Sequence, residues 1–159
     1  STAGITLRDW ASTGTNNYVT AGGLSLTSGK TYYFAVKAKN GAGLWSEVGY
    51  SDGISVDSIK PCIINRTQKI QRVRQPLLFQ AKVWDRHSGV ESVYLILRRE
   101  GTKDRRVYKM KYNKQVNLYQ MRLPPQWRPA IITYRIEAKD KAGNRNTTHL
   151  FNLKIIKVS

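Results

Sequence analysis

The most distinctive chemistry in this sequence lies in a strongly basic stretch between residues 98 and 114. Its eight basic residues are Arg98, Arg99, Lys103, Arg105, Arg106, Lys109, Lys111 and Lys114. Lys109 and Lys111 stand at alternate positions on either side of Met110, which is the period of a strand with one outward row. Such a row would bind phosphate, sulfate or uronate groups, because guanidinium groups form paired hydrogen bonds with oxyanions. The spacing therefore predicts a polyanion-binding hairpin.

The same charges have a simpler explanation as a solvated surface. Edge strands often carry Lys, which prevents them from pairing with the strands of other molecules. A charge run of this kind then serves solubility and binds nothing in particular. The sequence leaves both interpretations open, with an acidic polysaccharide or a nucleic acid as the possible polyanion.

The net charge of the chain is unevenly distributed. The sequence has 27 Lys and Arg residues against 10 Asp and Glu residues, a net charge of +17. Residues 1–57 contain four basic and four acidic residues, so the remaining 23 basic and 6 acidic residues lie in 58–159. An abrupt change of this kind indicates a domain boundary near residue 58.

Catalytic motifs are absent from the sequence. The two histidines, His87 and His149, have no motif partner for nucleophilic or metal chemistry. The carboxylates are scattered, and no glycine-rich phosphate loop or Cys/His metal spacing occurs. The sequence thus predicts a protein that is not an enzyme and needs no cofactor.

A calcium site is a weaker possibility at one group of turns. Asp85 in one turn and Asp140 with Asn144 in another are expected to lie at the same end of a sandwich. Their oxygens suit calcium, although Asp and Asn are also ordinary turn residues and several cationic side chains surround them. We favour the turn interpretation.

A self-match at a spacing of 100 residues fixes the register of two strands. Residues 36–43 (VKAKNGAG) align with residues 136–143 (IEAKDKAG). Each copy alternates apolar and polar side chains and ends in an Ala-Gly turn, as a half-buried strand does. The repeat and the recurrent turn signals predict an all-β protein of two immunoglobulin-like β-sandwich domains, the first incomplete.

Strands in the second domain follow from the same alternation. We also expect Cys62 to be buried as a small apolar residue and Trp84 to pack in the core. For Trp127 we favour packing in the core or its loop over a platform for a sugar ring. The predicted strands A, B, C, C′, E, F and G span residues 61–64, 77–84, 90–99, 107–112, 116–123, 131–138 and 149–158.

The first domain resembles part of a fibronectin type III module. Residues 26–40 (LTSGKTYYFAVKAKN) resemble its E–F corner and strand F. In that family a tyrosine hydroxyl bonds back to the backbone of the corner, so the resemblance implies that Leu26 and Tyr32 form this structural corner. The match covers residues 1–57 as strands C′ to G. Nothing matches strands A and B, so we expect Phe34 and Val36 to be exposed in this fragment. We expect their face to be covered by the second domain, by another copy or by other residues of the parent protein.

The second domain, residues 58–159, resembles the Ig-like modules of bacterial and archaeal extracellular proteins. The resemblance rests on residues 85–93 (DRHSGVESV) and 134–144 (YRIEAKDKAGN). It implies non-catalytic spacer or interaction modules of a larger extracellular or cell-surface protein, with a protein or polysaccharide partner. Two glycosylation sequons, at Asn65 and Asn146, fit that location. No apolar run approaches the roughly 18 residues of a membrane-spanning helix.

Overall fold

The regular secondary structure of the chain is β-strand wherever its structure is described. A computed structural model describes residues 6–98 and 105–157. The secondary-structure elements in these ranges are all β-strands. The chain divides into two compact units, Ser1–Asp57 and Ser58–Ser159. The all-β class expected from the alternation of side chains is thereby confirmed.

The first unit contains one interrupted hairpin. Its strands are β1 (Thr31–Tyr32), β2 (Ala35–Val36), β3 (Gly49–Tyr50) and β4 (Ile54–Ser55). β1 pairs with β4 and β2 with β3, both antiparallel. None of the residues described in this unit is buried, and Phe34 and Val36 are 47% and 67% exposed. The exposure expected for this face is confirmed.

The second unit consists of two facing sheets. Its strands in the described ranges are β5 (Cys62–Asn65), β6 (Ile70–Arg72), β7 (Leu77–Trp84), β8 (Val90–Arg98), β9 (Arg105–Lys109), β10 (Lys111–Asn113), β11 (Leu118–Leu123), β12 (Ala130–Asp140), β13 (Arg145–Thr147) and β14 (Phe151–Ile156). One sheet has the order β10-β11-β7-β5. The other has the order β6-β14-β12-β8-β9, and β13 pairs beside β14 along β12.

The core lies between these sheets and follows the period of two. Alternate residues of β7 from Leu77 to Val83 are buried, as are those of β12 from Tyr134 to Asp140. The rings of Phe79 and Tyr134 meet edge to face with centroids 5.0 Å apart. Each large apolar side chain buried here contributes about 2 kcal/mol to folding.

Two core expectations are wrong because of the same alternation. Leu77 points inward, so Trp84, an odd number of positions later on β7, points outward and is 42% exposed. Cys62 lies opposite Trp84 on β5 and is likewise exposed. Residue type favoured burial at both positions, but strand register decides which face of the sheet each side chain occupies.

The strand predicted over residues 107–112 is two strands in different sheets. β9 pairs with β8, whereas β10 pairs with β11 in the opposite sheet. Met110 lies at the switch with its side chain 3% exposed, and its N–H donates to the Val93 carbonyl over 2.8 Å. The chain passes from one sheet to the other at this residue, whose apolar side chain is buried between the two sheets.

The two copies of the sequence repeat form the same turn. The N–H of Asn40 donates to the Leu44 carbonyl over 2.9 Å, and that of Asp140 to the Asn144 carbonyl over 3.1 Å. The side-chain oxygens of Asn40 and Asp140 accept the N–H of the same partners over 3.0 and 2.8 Å. The glycine three positions on has φ of +84° in one copy and +98° in the other. Gly is needed there because other residues rarely adopt this conformation.

Candidate functional site

The basic residues predicted to form one row are distributed over several faces. Arg98, Arg105 and Lys109 lie on the outer face of the sheet that contains β8 and β9, where Arg98 is directly opposite Arg105. These three side chains are exposed. Arg99 and Lys103 lie outside the described residues.

The remaining predicted residues lie elsewhere. Arg106 is opposite Leu97 and so lies on the inward-facing side of β9. Lys111 pairs with Gln120 in the other sheet, and Lys114 lies in the turn between β10 and β11. The prediction of one outward row containing both Lys109 and Lys111 is wrong, because the chain changes sheets at Met110.

Charge on the Arg98–Arg105 pair is uncompensated within the described residues. Like charges directly opposite each other on neighbouring strands destabilise a sheet. Ion pairs in the second unit join Lys139 to Glu91 and Arg145 to Glu137, over 2.7 and 2.9 Å. A bound anion would relieve the repulsion between the two guanidinium groups.

The acidic turn residues form hydrogen bonds that shape their turns. One oxygen of Asp85 accepts the N–H groups of His87 and Gly89, over 3.0 and 2.9 Å. Asp140 is fully buried, and both of its oxygens accept hydrogen bonds from Asn144. Both aspartates therefore organise the backbone of the turns in which they lie.

These two aspartates are also close to each other. A carboxylate oxygen of Asp85 lies within 4.8 Å of one of Asp140. The second oxygen of Asp85, Oδ2, is inaccessible to solvent and has no hydrogen-bond partner.

The two histidines lie in different surroundings. Neither imidazole forms a hydrogen bond or an ion pair with the residues described, and His149 stacks on Phe151 with ring centroids 4.1 Å apart. His87 is exposed in the turn that Asp85 organises.

A groove that sequence reasoning missed begins where β5 ends. β5 pairs with β7 only as far as Asn65, opposite Ala81. The chain then crosses to the other sheet, where β6 pairs in parallel with β14. The first part of β7 therefore has no strand on this edge. The Gln71 carboxamide takes that place, donating to the Leu78 carbonyl over 2.7 Å and accepting the Leu78 N–H over 2.9 Å.

The groove beside this edge has a volume of about 650 Å³. Its walls include Gln68, Arg72, Gln75, Leu78, Gln80 and Arg122. Leu78 and Arg122 are cross-strand neighbours on the outer face of their sheet. The only sequence signal was the frequency of Gln and Arg between residues 66 and 80. That signal does not show that Arg122, some fifty positions away, joins them.

An exposed tryptophan lies in a loop attached to the same region. The Arg74 N–H donates to the Gln126 carbonyl over 2.8 Å, and Arg74 has φ of +61°. Trp127 follows Gln126 and is 73% exposed, so the expected packing of Trp127 within its loop is wrong. Pro124, Pro125 and Pro129 flank the tryptophan and restrict the loop.

Both glycosylation sequons have their acceptor nitrogen in a structural hydrogen bond. Asn65 Nδ2 donates to the Tyr134 hydroxyl over 2.9 Å, and Thr67 of the same sequon is 8% exposed. Asn146 Nδ2 donates to the Pro61 carbonyl over 2.8 Å. Modification of the folded chain would therefore break a contact at each site.

The first unit has two contacts that organise its irregular segments. The Tyr32 hydroxyl accepts the Thr27 N–H over 2.7 Å at the predicted corner, where Leu26 is 44% exposed. The Lys37 ammonium lies between two indole rings, 4.7 Å from the centroid of Trp10 and 4.6 Å from that of Trp45. This stack ties the segment around residue 10 to the hairpin.

The chain matches no protein-family model and no curated protein sequence. Among the described residues, no helix is long and apolar enough to cross a membrane.

Proposed function

We propose that the chain is a pair of non-catalytic modules, a fibronectin type III-like unit followed by an Ig-like sandwich. In this proposal they form a spacer or interaction segment of a larger extracellular or cell-surface protein. The observation that carries the proposal is the strand order of the second unit.

Strand order in the second unit supports an Ig-like topology. With β5, β7, β11 and β10 labelled A, B, E and D, one sheet has the order A-B-E-D. With β6, β14, β12, β8 and β9 labelled A′, G, F, C and C′, the other has the order A′-G-F-C-C′. Immunoglobulin sandwiches combine an ABED sheet with a sheet built on C, F and G.

The corner in the first unit supports the fibronectin-like assignment. The Tyr32 hydroxyl bonds to the backbone five residues upstream, which is the bond that defines a tyrosine corner. Residues 31–55 form one hairpin, as strands F and G of such a module do. Such sandwiches serve many functions, so the surface location needs a direct test.

Surface labelling of the source cells tests the location. An antibody raised against residues 58–159 is expected to label intact cells, or to detect the protein in the medium. The control is an antibody against a cytoplasmic protein, which should label only after permeabilisation. If the module antibody also labels only permeabilised cells, the extracellular proposal is wrong.

Polyanion binding is the second candidate function, favoured by the outward Arg98–Arg105 pair with Lys109 on the same face. The test is binding to heparin, duplex DNA and a neutral polysaccharide across a salt series. The triple variant R98Q/R105Q/K109Q should lose a tight, salt-resistant complex with one polyanion. The control R106Q/K111Q/K114Q removes the same charge from other faces and should retain it. Equal, weak and salt-labile binding by both variants would leave only a solvated surface.

A further inference from the structure

We propose that the groove beside β7 binds an acidic polysaccharide through Arg72 and Arg122, with Trp127 stacking on a sugar ring. The proposal goes beyond the spacer function, which needs no ligand. It also involves a different face from the Arg98–Arg105 pair.

Two unpaired cations face this groove. Arg72 and Arg122 are exposed, and neither guanidinium forms an ion pair or hydrogen bond with any described residue. The groove lies near the start of β12. Ile156, at the end of β14, lines the groove, and the residue before it pairs with Ala130, the first residue of β12. Asp140 is at the other end of β12, about 30 Å away along the strand. The groove is therefore a site of positive potential for carboxylate or sulfate groups.

Amide side chains add a second kind of recognition. Gln68, Gln75 and Gln80 line the groove, and their carboxamides form no hydrogen bonds within the described structure. Each carboxamide offers both donors and an acceptor. Sugar hydroxyls can satisfy both, whereas the backbone of duplex DNA offers acceptors only. The chemistry of the groove therefore favours an acidic polysaccharide over a nucleic acid.

The loop that carries Trp127 is attached to a turn beside the groove. The bond between the Arg74 N–H and the Gln126 carbonyl attaches the Trp127 loop to the turn that follows Arg72 and contains Gln75. The ring is 73% exposed, and its flat apolar face is suited to the apolar face of a pyranose. Guanidinium groups, amides and an indole together match a uronate-containing chain.

Calorimetric titration of the full chain with a size-defined oligogalacturonate tests the site. Replacing both groove arginines, R72Q/R122Q, should weaken binding about tenfold or more, because charge-assisted hydrogen bonds are lost. W127A should weaken binding several-fold. The matched control R86Q/R106Q removes the same charge from two exposed positions outside the groove and should bind as the wild type does. Circular dichroism of each variant checks that the fold is retained.

Three outcomes would overturn the groove assignment. The first is no binding of the oligogalacturonate by the wild-type chain, and the second is equal weakening of binding by the groove and control variants. The third is tighter binding of duplex DNA with the same sensitivity to R72Q/R122Q, which would assign the groove to nucleic acid. None of these bears on the extracellular proposal, which the labelling experiment tests separately.

Discussion

The Gln71 side chain is expected to stabilise the second unit by acting as a missing strand partner. Its carboxamide forms hydrogen bonds with both the N–H and the carbonyl of Leu78, at 2.9 and 2.7 Å. These bonds lie on the edge of β7 that has no neighbouring strand at this point. Substitution by Met keeps the length of the side chain but removes both hydrogen bonds. Two half-buried backbone groups then lose their partners.

The expected cost follows from these two groups. A buried polar group that loses its partner costs about 1–3 kcal/mol, and partial access to water at Leu78 reduces that penalty. Q71M should therefore lower the free energy of unfolding by about 1–2 kcal/mol. For a unit of this size, the loss lowers Tm by roughly 5–10 °C.

Thermal unfolding followed by circular dichroism measures the effect. Q75M is the matched control, because Gln75 is exposed in the same turn and has no side-chain hydrogen bond among the described residues. A Tm for Q71M within error of that for Q75M would show that the Gln71 bonds do not support the β7 edge.

Three further predictions concern charged and polar contacts. Asp85→Asn should raise the free energy of unfolding in chelator by about 1 kcal/mol, since it places a neutral donor beside the Asp140 carboxylate. Burial, and secondarily a neighbouring tyrosine, raises the pKa of Tyr119 above its usual 10.0. The folded state therefore holds this proton more tightly, and stability should fall as the pH rises above 10.0. Y119F should reduce that fall, as measured by urea unfolding. Lys37→Gln should increase iodide quenching of tryptophan fluorescence, because a contact worth about 0.5–1 kcal/mol is lost.

Each of these three has an outcome that contradicts it. Destabilisation by D85N, together with a calcium-dependent rise in the wild-type Tm, would show that the aspartates hold a cation. An identical alkaline loss of stability in Y119F would exclude Tyr119 as its source. Equal quenching in K37Q and the control K30Q would show that the indole stack does not order the first unit.

The local structure of this protein could be predicted from its sequence. The alternation of side chains identified most strands of the second unit, because a strand with one buried face requires it. The repeat at 36–43 and 136–143 gives the same turn twice, because Asn40 and Asp140 each cap their turn with a side-chain oxygen. These features depend on neighbouring residues alone.

The assignment of residues to a side of a sheet was less predictable. Trp84 and Cys62 have side chains typical of a core, yet register turns both outward. The basic stretch looked continuous in sequence, but the change of sheet at Met110 separates Lys109 from Lys111. A shift by one position, or a change of sheet, reverses the face that a residue occupies.

The sequence by itself determined the strand class, the turns and the concentration of charge in residues 58–159. Only the tertiary structure decided which charges share a face and that a groove exists beside β7. Arg72 and Arg122 meet there because β5 ends early, the chain crosses to the other sheet and β11 pairs with the exposed part of β7. Pairing between strands distant in sequence is set by packing of the whole sandwich, and a local sequence pattern does not contain that information.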